Sequence, residues 1–222
     1  MSAPILPPEI DGLSLHPERP VVIVDVDEVL AMFMHGFERF IIRKGYEMRI
    51  DRFALFQVIF RPGETAHLDV AEGRVLFDEF FSTDVEHIEP AHGAVEGLSA
   101  LARHAEIVIL TNAPQSSRAA RSRWLARHGF PYPLVVNAGL KGPAVAALAA
   151  KTKGPVAFID DLLPNLDSVA ADTPHARTFQ MVADKRLRPL APCSPDRHRR
   201  IDDWADLGPA IEAAIRSPSA RT

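Results

Sequence analysis

Apolar positions along this chain gather into short, continuous, β-branched runs separated by segments with helical spacing. The run VVIVDV at 21–26 has no polar alternation, the pattern of a strand buried on both faces of a parallel sheet. Comparable runs recur as EIVILT (106–111), PLVVN (133–137) and PVAFID (155–160), with a weaker one, ARTFQMV, at 176–182. About five strands are expected. Between them, GAVEGLSALARH (93–104), SSRAARSRWLARHG (116–129) and KGPAVAALAAKTKG (141–154) read as helices, two of them closing in glycine after basic residues. Strand and helix alternate, so the pattern predicts an α/β fold: a three-layer, doubly wound, Rossmann-like parallel sheet that binds ligands beyond the carboxyl ends of its strands.

One stretch breaks the alternation. From 33 to 91 there is no run suited to a buried parallel strand, whereas MFMHGFERFIIRKG and GRVLFDEFF carry apolar side chains at helical spacing. This predicts a small helical cap inserted after the first strand. Its phenylalanines, from Phe33 to Phe81, could line a substrate pocket, though residues at this spacing more often pack a small core. The five prolines within 1–20 predict an extended arm ahead of the domain. The core should then comprise 21–32 and 92–190, with a tail, 191–222, whose amphipathic turn from Trp204 to Ile215 docks on it.

Composition narrows the function classes. Apolar residues at 47% and charged residues at 24% describe a chain that folds. A net charge of -4 offers no footprint for a nucleic-acid polymer, and the basic run Arg197, His198, Arg199, Arg200 reads as a solvated surface segment. The single cysteine, Cys193, excludes an intramolecular disulfide or a thiolate metal site and favours a reducing compartment. No signal-peptide pattern opens the chain, and no apolar run approaches the roughly 18 residues of a membrane span. A cytoplasmic protein without a membrane partner is expected; oligomeric state is not legible.

The acids fall in unusual places. VVIVDVDEVL puts Asp25 and Asp27 at the carboxyl end of the first strand, where alternating side chains emerge on one side and concentrate negative charge. A solvated turn that caps a following helix is the plainer reading. Three further elements bear on the choice: IVILTN ends in Thr111 and Asn112, VAFIDD ends in Asp160 and Asp161, and Lys141 opens a helix at KGP, where its ammonium adds to a positive helix N-terminus. Singly, Thr111 reads as a helix cap, Lys141 as a surface lysine and the acidic pair as a turn. Together, on one sheet, they form a site.

In this order the residues resemble the haloacid dehalogenase-like hydrolases, whose motifs are a hydrophobic strand then Asp-x-Asp, a strand then Thr or Ser, a Lys, and a strand then an acidic pair. The resemblance spans Val21 to Asp161 and, with the last strand, reaches about 182. It implies a phosphatase in which Asp25 attacks phosphorus and Asp27 acts as general acid, its pKa raised by neighbouring charges. Thr111, Asn112 and Lys141 would bind the phosphoryl group. Asp25, Asp27 through its backbone carbonyl, and Asp160 or Asp161 would hold magnesium, and Asn165 fits the place of an acidic group that supports those ligands, or is simply a turn residue. Glu28 departs from the pattern, standing where many members have glycine, which puts the turn after Asp27 in question.

Electrostatics agree with the metal. A carboxylate about 4 Å from a dianionic ester meets roughly 8 kcal/mol of repulsion at an effective dielectric near 20, more than one lysine offsets. A divalent cation is required, and an all-oxygen donor set favours magnesium. The partner would be a small phosphomonoester, with nucleoside monophosphates and sugar phosphates both open. The cap segment FERFIIRKGYEMRIDRF loosely resembles deoxyribonucleotide 5'-phosphatases, and Arg39, Arg43, Lys44, Arg49, Arg52 and Arg61 could meet a second anionic group or form a solvated face. A silent phosphoester-binding protein is the alternative to an enzyme.

Overall fold

Short apolar runs and the helices between them assemble as the spacing predicts, with one strand added at one edge of the sheet. The computed structural model describes residues 6–216. The chain opens with a single-turn helix, α1 (Glu9–Gly12), and then β1 (Val21–Val24), whose four residues are all buried. The insertion supplies α2 (Phe33–Arg43), β2 (Glu47–Met48), β3 (Ile59–Phe60) and α3 (Val70–Thr83), the last capped by Asp69, whose side chain accepts from the Glu72 N–H at 2.8 Å. There follow α4 (Ala94–Ala102), β4 (Glu106–Asn112), α5 (Arg118–Arg127), β5 (Leu134–Asn137), α6 (Gly142–Ala149), β6 (Val156–Asp160), α7 (Leu163–Asp172), β7 (Arg177–Gln180), β8 (Arg199–Arg200) and α8 (Trp204–Arg216).

The main sheet has the order β5-β4-β1-β6-β7-β8 with every pair parallel. Alternate strand residues face two apolar clusters. Val22, Val24, Ile107 and Ile109 pack toward α4, α5, α8 and the insertion, while Val21, Ile23, Val108 and Leu110 pack toward α6 and α7. Continuous apolar runs are the signature of this three-layer arrangement, because neither sheet face meets water.

Three expectations need amendment. The insertion is not wholly helical: β2 and β3 form an antiparallel pair, Glu47 opposite Phe60 and Met48 opposite Ile59, strands too short to show a period in the sequence. The proline-rich segment does not run free over its described part. Ile10 is buried against the α6 and α7 face with Leu13 and Leu15 beside it, and the Lys153 N–H donates to the Pro17 carbonyl at 2.6 Å. Gly154 permits that approach, since a Cβ there would stand 2.3 Å from the Arg19 carbonyl oxygen. Residues 1–5 of the expected arm and 217–222 of the tail lie outside the described residues.

The basic run is exposed at Arg197 and Arg199, as a solvated segment would be, but it is more than that. Arg199 and Arg200 form a sixth strand at the sheet edge, where charged side chains are tolerated and discourage further pairing. His198 is buried, its ring nitrogens 2.8 Å from Thr178 Oγ1 and 2.8 Å from Asp167 Oδ1. Beyond it, α8 docks as expected: Trp204 is buried, its indole N–H donates to the Val29 carbonyl at 3.0 Å, and Gly97 of α4 leaves the space its ring fills. No helix among the described residues is long and apolar enough to cross a membrane.

Candidate active site

Register brings the acids together. Val24 pairs with Ile109 on one side and Ile159 on the other, so the next residue, Asp25, is level with Asp160, and the Asp25 N–H donates to the Ile159 carbonyl at 3.0 Å. Thr111 is the penultimate residue of β4, before Asn112, and is fully buried; it is a strand residue and not a helix cap. Its Oγ1 has no hydrogen-bond partner among the described residues.

Lys141 is the electrostatic centre of this floor. It is no surface lysine: its side chain is wholly buried, with Nζ 2.7 Å from Asp25 Oδ1 and donating at 2.7 Å to Asp160 Oδ2. The contact with Asp25 is a close, buried ion pair. Gly142 makes this burial possible, because a Cβ there would stand 2.4 Å from Ser168 Oγ and hold α6 away from α7. Burial alone would lower the Lys141 pKa, but Asp160 and Asp25 reverse that and hold it above its ordinary value.

The two members of the acidic pair differ. Asp160 is fully engaged, taking Lys141 on one oxygen, the Leu162 N–H at 2.9 Å on the other, and the Asn165 amide at 3.1 and 3.2 Å on both. Asn165 is therefore buried beside the acids and is not a solvated turn residue. Asp161 instead faces the cavity. Carboxylate oxygens of Asp25, Asp160 and Asp161 lie within 4.8 Å of one another, an arrangement able to hold a cation. Burial pushes Asp25 up to about 7, against the pull of Lys141 and with added repulsion from Asp160 and Asp27. Asp161 is raised by burial and then by Asp160, Asp25 and Glu28. Three buried carboxylates against one ammonium leave the cluster short of positive charge, which suits an oxygen-liganded divalent cation.

Asp27 stands apart from that cluster. Arg121 of α5, wholly buried, reaches both Asp27 oxygens with one nitrogen, Nη2, at 2.8 and 2.9 Å. Its Nε and Nη1 have no hydrogen-bond partner among the described residues, and its guanidinium lies over the rings of Phe81 and Trp124. The Asp27 pKa is raised, as expected, but for a different reason: burial raises it, and the neighbouring Arg121 pulls it down. Sequence reasoning misses Arg121, because one arginine among four in SRAARSRWLARHG looks like part of a solvated helix face.

Glu28 resolves the doubt about the turn. Its φ of 58° is the only positive value for a non-glycine among the described residues, so the left-handed turn that glycine would favour is kept. The buried carboxylate accepts from the Met34 N–H at 2.8 Å and from the Asp184 N–H at 2.9 Å, tying the start of α2 to the loop after β7. Burial pushes Glu28 up to about 7, those two N–H groups opposing it.

Above this floor lies a cavity of about 300 Å³ lined by Asp25, Asp27, Glu28, Asn112, Lys141, Asp161 and Asn165 below and by apolar side chains of the insertion above. The phenylalanines divide. Phe37, Phe40, Phe80 and Phe81 are buried and pack the insertion against the core, whereas Phe33, Phe53 and Phe77 reach the cavity. None of the six basic residues singled out in the insertion lines it.

No protein-family model and no curated protein matches the sequence. Solved structures do match in fold. A protein described as the HAD-hydrolase YfnB from Bacillus subtilis, bound to magnesium, aligns over 88% of this chain and 99% of its own at a TM-score of 0.60 and 14% identity. A haloacid dehalogenase-like protein of unknown function from Agrobacterium tumefaciens aligns over 89% and 99% at 0.58 and 18% identity. A HAD hydrolase of family IA, variant 3, from Entamoeba histolytica aligns over 89% and 98% at 0.56 and 12% identity.

Proposed function

We propose that this chain, which has the fold of the haloacid dehalogenase-like hydrolases, is a magnesium-dependent phosphomonoesterase acting through an aspartyl-phosphate on a small phosphorylated metabolite. The observation that carries the reading is the convergence of Asp25, Lys141 and Asp161 under one cavity; Thr111, near the end of the neighbouring strand β4, is buried with its Oγ1 unpartnered among the described residues, although it does not itself line the cavity. Asp25 and Asp161 would hold magnesium together with the Asp27 carbonyl, and the ion would supply the attraction that admits a dianionic ester. Asp160, its oxygens already engaged, would position Lys141 and Asp25.

In the first step an Asp25 oxygen forms a bond to phosphorus while the ester P–O bond breaks, and Asp27 gives its proton to the departing oxygen. Thr111 and Lys141 would steady the charge on the transferring group, with Asn112 at its edge. In the second step water attacks phosphorus, the Asp27 carboxylate takes its proton, and inorganic phosphate leaves Asp25 free. Arg121 would hold Asp27 in place for both transfers.

The test is release of inorganic phosphate from p-nitrophenyl phosphate with magnesium and with excess chelator. The wild type should be active with magnesium only, and Asp25→Asn should lose at least about 10³-fold in kcat. Retention of more than a few per cent of activity by this variant would overturn the assignment of the nucleophile.

A further inference from the structure

Among the described residues the cavity has one charged wall and one wall with no polar side chain at all. Every polar side chain that lines it belongs to the floor, and several of these already hold protein partners. Glu28 accepts two backbone N–H groups, Asn112 donates to the Gly139 carbonyl at 2.8 Å and accepts from Asn137 at 2.9 Å, and the Asn165 amide nitrogen donates to both Asp160 oxygens. The insertion contributes Phe33, Met34, Phe53, Ala54, Leu55 and Phe77, with Leu187 from beyond β7.

The cations that could have met a second anionic group point elsewhere. Arg39 pairs with Glu89 at 3.2 Å, Arg49 with Glu47 at 2.6 Å and Arg52 with Asp51 at 2.8 Å, while Arg43 is held by Asp84, Lys44 by Glu79 and Arg61 by Glu72. Among the described residues Lys141 is the single basic side chain lining the cavity, and it is committed to two carboxylates.

We propose that the alcohol half of the substrate is uncharged and predominantly apolar, an aryl-bearing or branched-alkyl group that lies against Phe53, Leu55 and Phe77. This rests on the phosphomonoesterase reading and narrows it. A sugar would bring hydroxyls that lose water against this wall and gain no side-chain partner, a cost of about 1–3 kcal/mol for each group left unpaired. A second phosphate would meet Glu28 and no free cation. A flat or branched hydrocarbon gains from the same wall, and the volume of about 300 Å³ sits at the small end of ligand sites.

The experiment uses primary-alcohol esters, so that leaving-group acidity stays comparable: 2-phenylethyl phosphate and isopentyl phosphate against glycerol 3-phosphate, glucose 6-phosphate, phosphocholine and a nucleoside 5'-monophosphate. We expect kcat/KM for 2-phenylethyl phosphate to exceed that for glycerol 3-phosphate by about 10-fold or more. Phe53→Ser, in a half-exposed loop, should bring that ratio close to one, mainly through KM of the phenylethyl ester. Preference for a sugar, nucleotide or choline ester, or a ratio that Phe53→Ser leaves alone, would overturn the substrate class while magnesium-dependent phosphate release kept the reaction class. If no ester is hydrolysed, the reaction class fails, and calorimetric titration with 2-phenylethylphosphonate against methylphosphonate still reads the wall. Binding of the phenylethyl compound at least about 10-fold tighter would support it, and equal binding would sink it.

Discussion

The floor and the roof of the cavity handle charge in opposite ways. The floor, made from the ends of β1, β4 and β6, buries its charges against one another around Lys141. The roof, made from the insertion, pairs its cations with acids on its outer surface and turns hydrocarbon inward. Buried pairs are fixed in place because each partner compensates the desolvation of the other; exposed pairs are screened and interchangeable. In the proposed enzyme the reacting groups would therefore be held by the sheet, while choice of substrate would rest on a few replaceable side chains of α2, α3 and the loop between β2 and β3.

The comparison can be broken hardest at Lys141. Lys141→Met leaves Asp25 and Asp160 buried without their shared cation and should cost about 3–5 kcal/mol of stability, read as a lowered midpoint in urea unfolding. A loss below about 1 kcal/mol would mean that the floor is not held by charge. Next comes Arg121→Met, which frees Asp27 from its tether; kcat should fall by about 10- to 100-fold while KM moves much less, in steady-state kinetics on p-nitrophenyl phosphate. Equal changes in both constants would assign Arg121 to packing against Phe81 and Trp124. Smallest is Arg61→Ala on the outer face of the insertion. Loss of its exposed pair with Glu72 should change stability by less than about 1 kcal/mol and leave the preference between phenylethyl and glycerol esters unaltered. A shift in that preference would place a cation at the cavity after all.

Much of the floor is legible in the amino-acid sequence. The runs 21–26, 106–111, 133–137 and 155–160 announce buried parallel strands because each is apolar on both faces, and the polar residues that end them mark the same edge of the sheet. The roof is legible only as helical spacing. Nothing in MFMHGFERFIIRKG separates Phe37, which packs the core, from Phe33, which also reaches the cavity; both recur on one helical face. Arg121 is hidden for the same reason, since burial of one arginine in a basic helix depends on what packs over it. The sixth strand is hidden because an edge strand takes its pairing from β7 and needs no apolar run of its own.

Local signals, then, are enough for the α/β architecture and the order of the strands along the chain, and enough to single out Asp25, Thr111, Lys141, Asp160 and Asp161 as candidates, because period and strand-end chemistry are properties of short segments. Which carboxylate is spent and which is open, what grips Asp27, how Glu28 occupies a left-handed turn usefully, and which phenylalanines meet the cavity are decided by packing between segments far apart in sequence. Those are questions of distance and burial. A linear pattern records neither, because the partner of each side chain is chosen only when the sheet, helices and insertion close on one another.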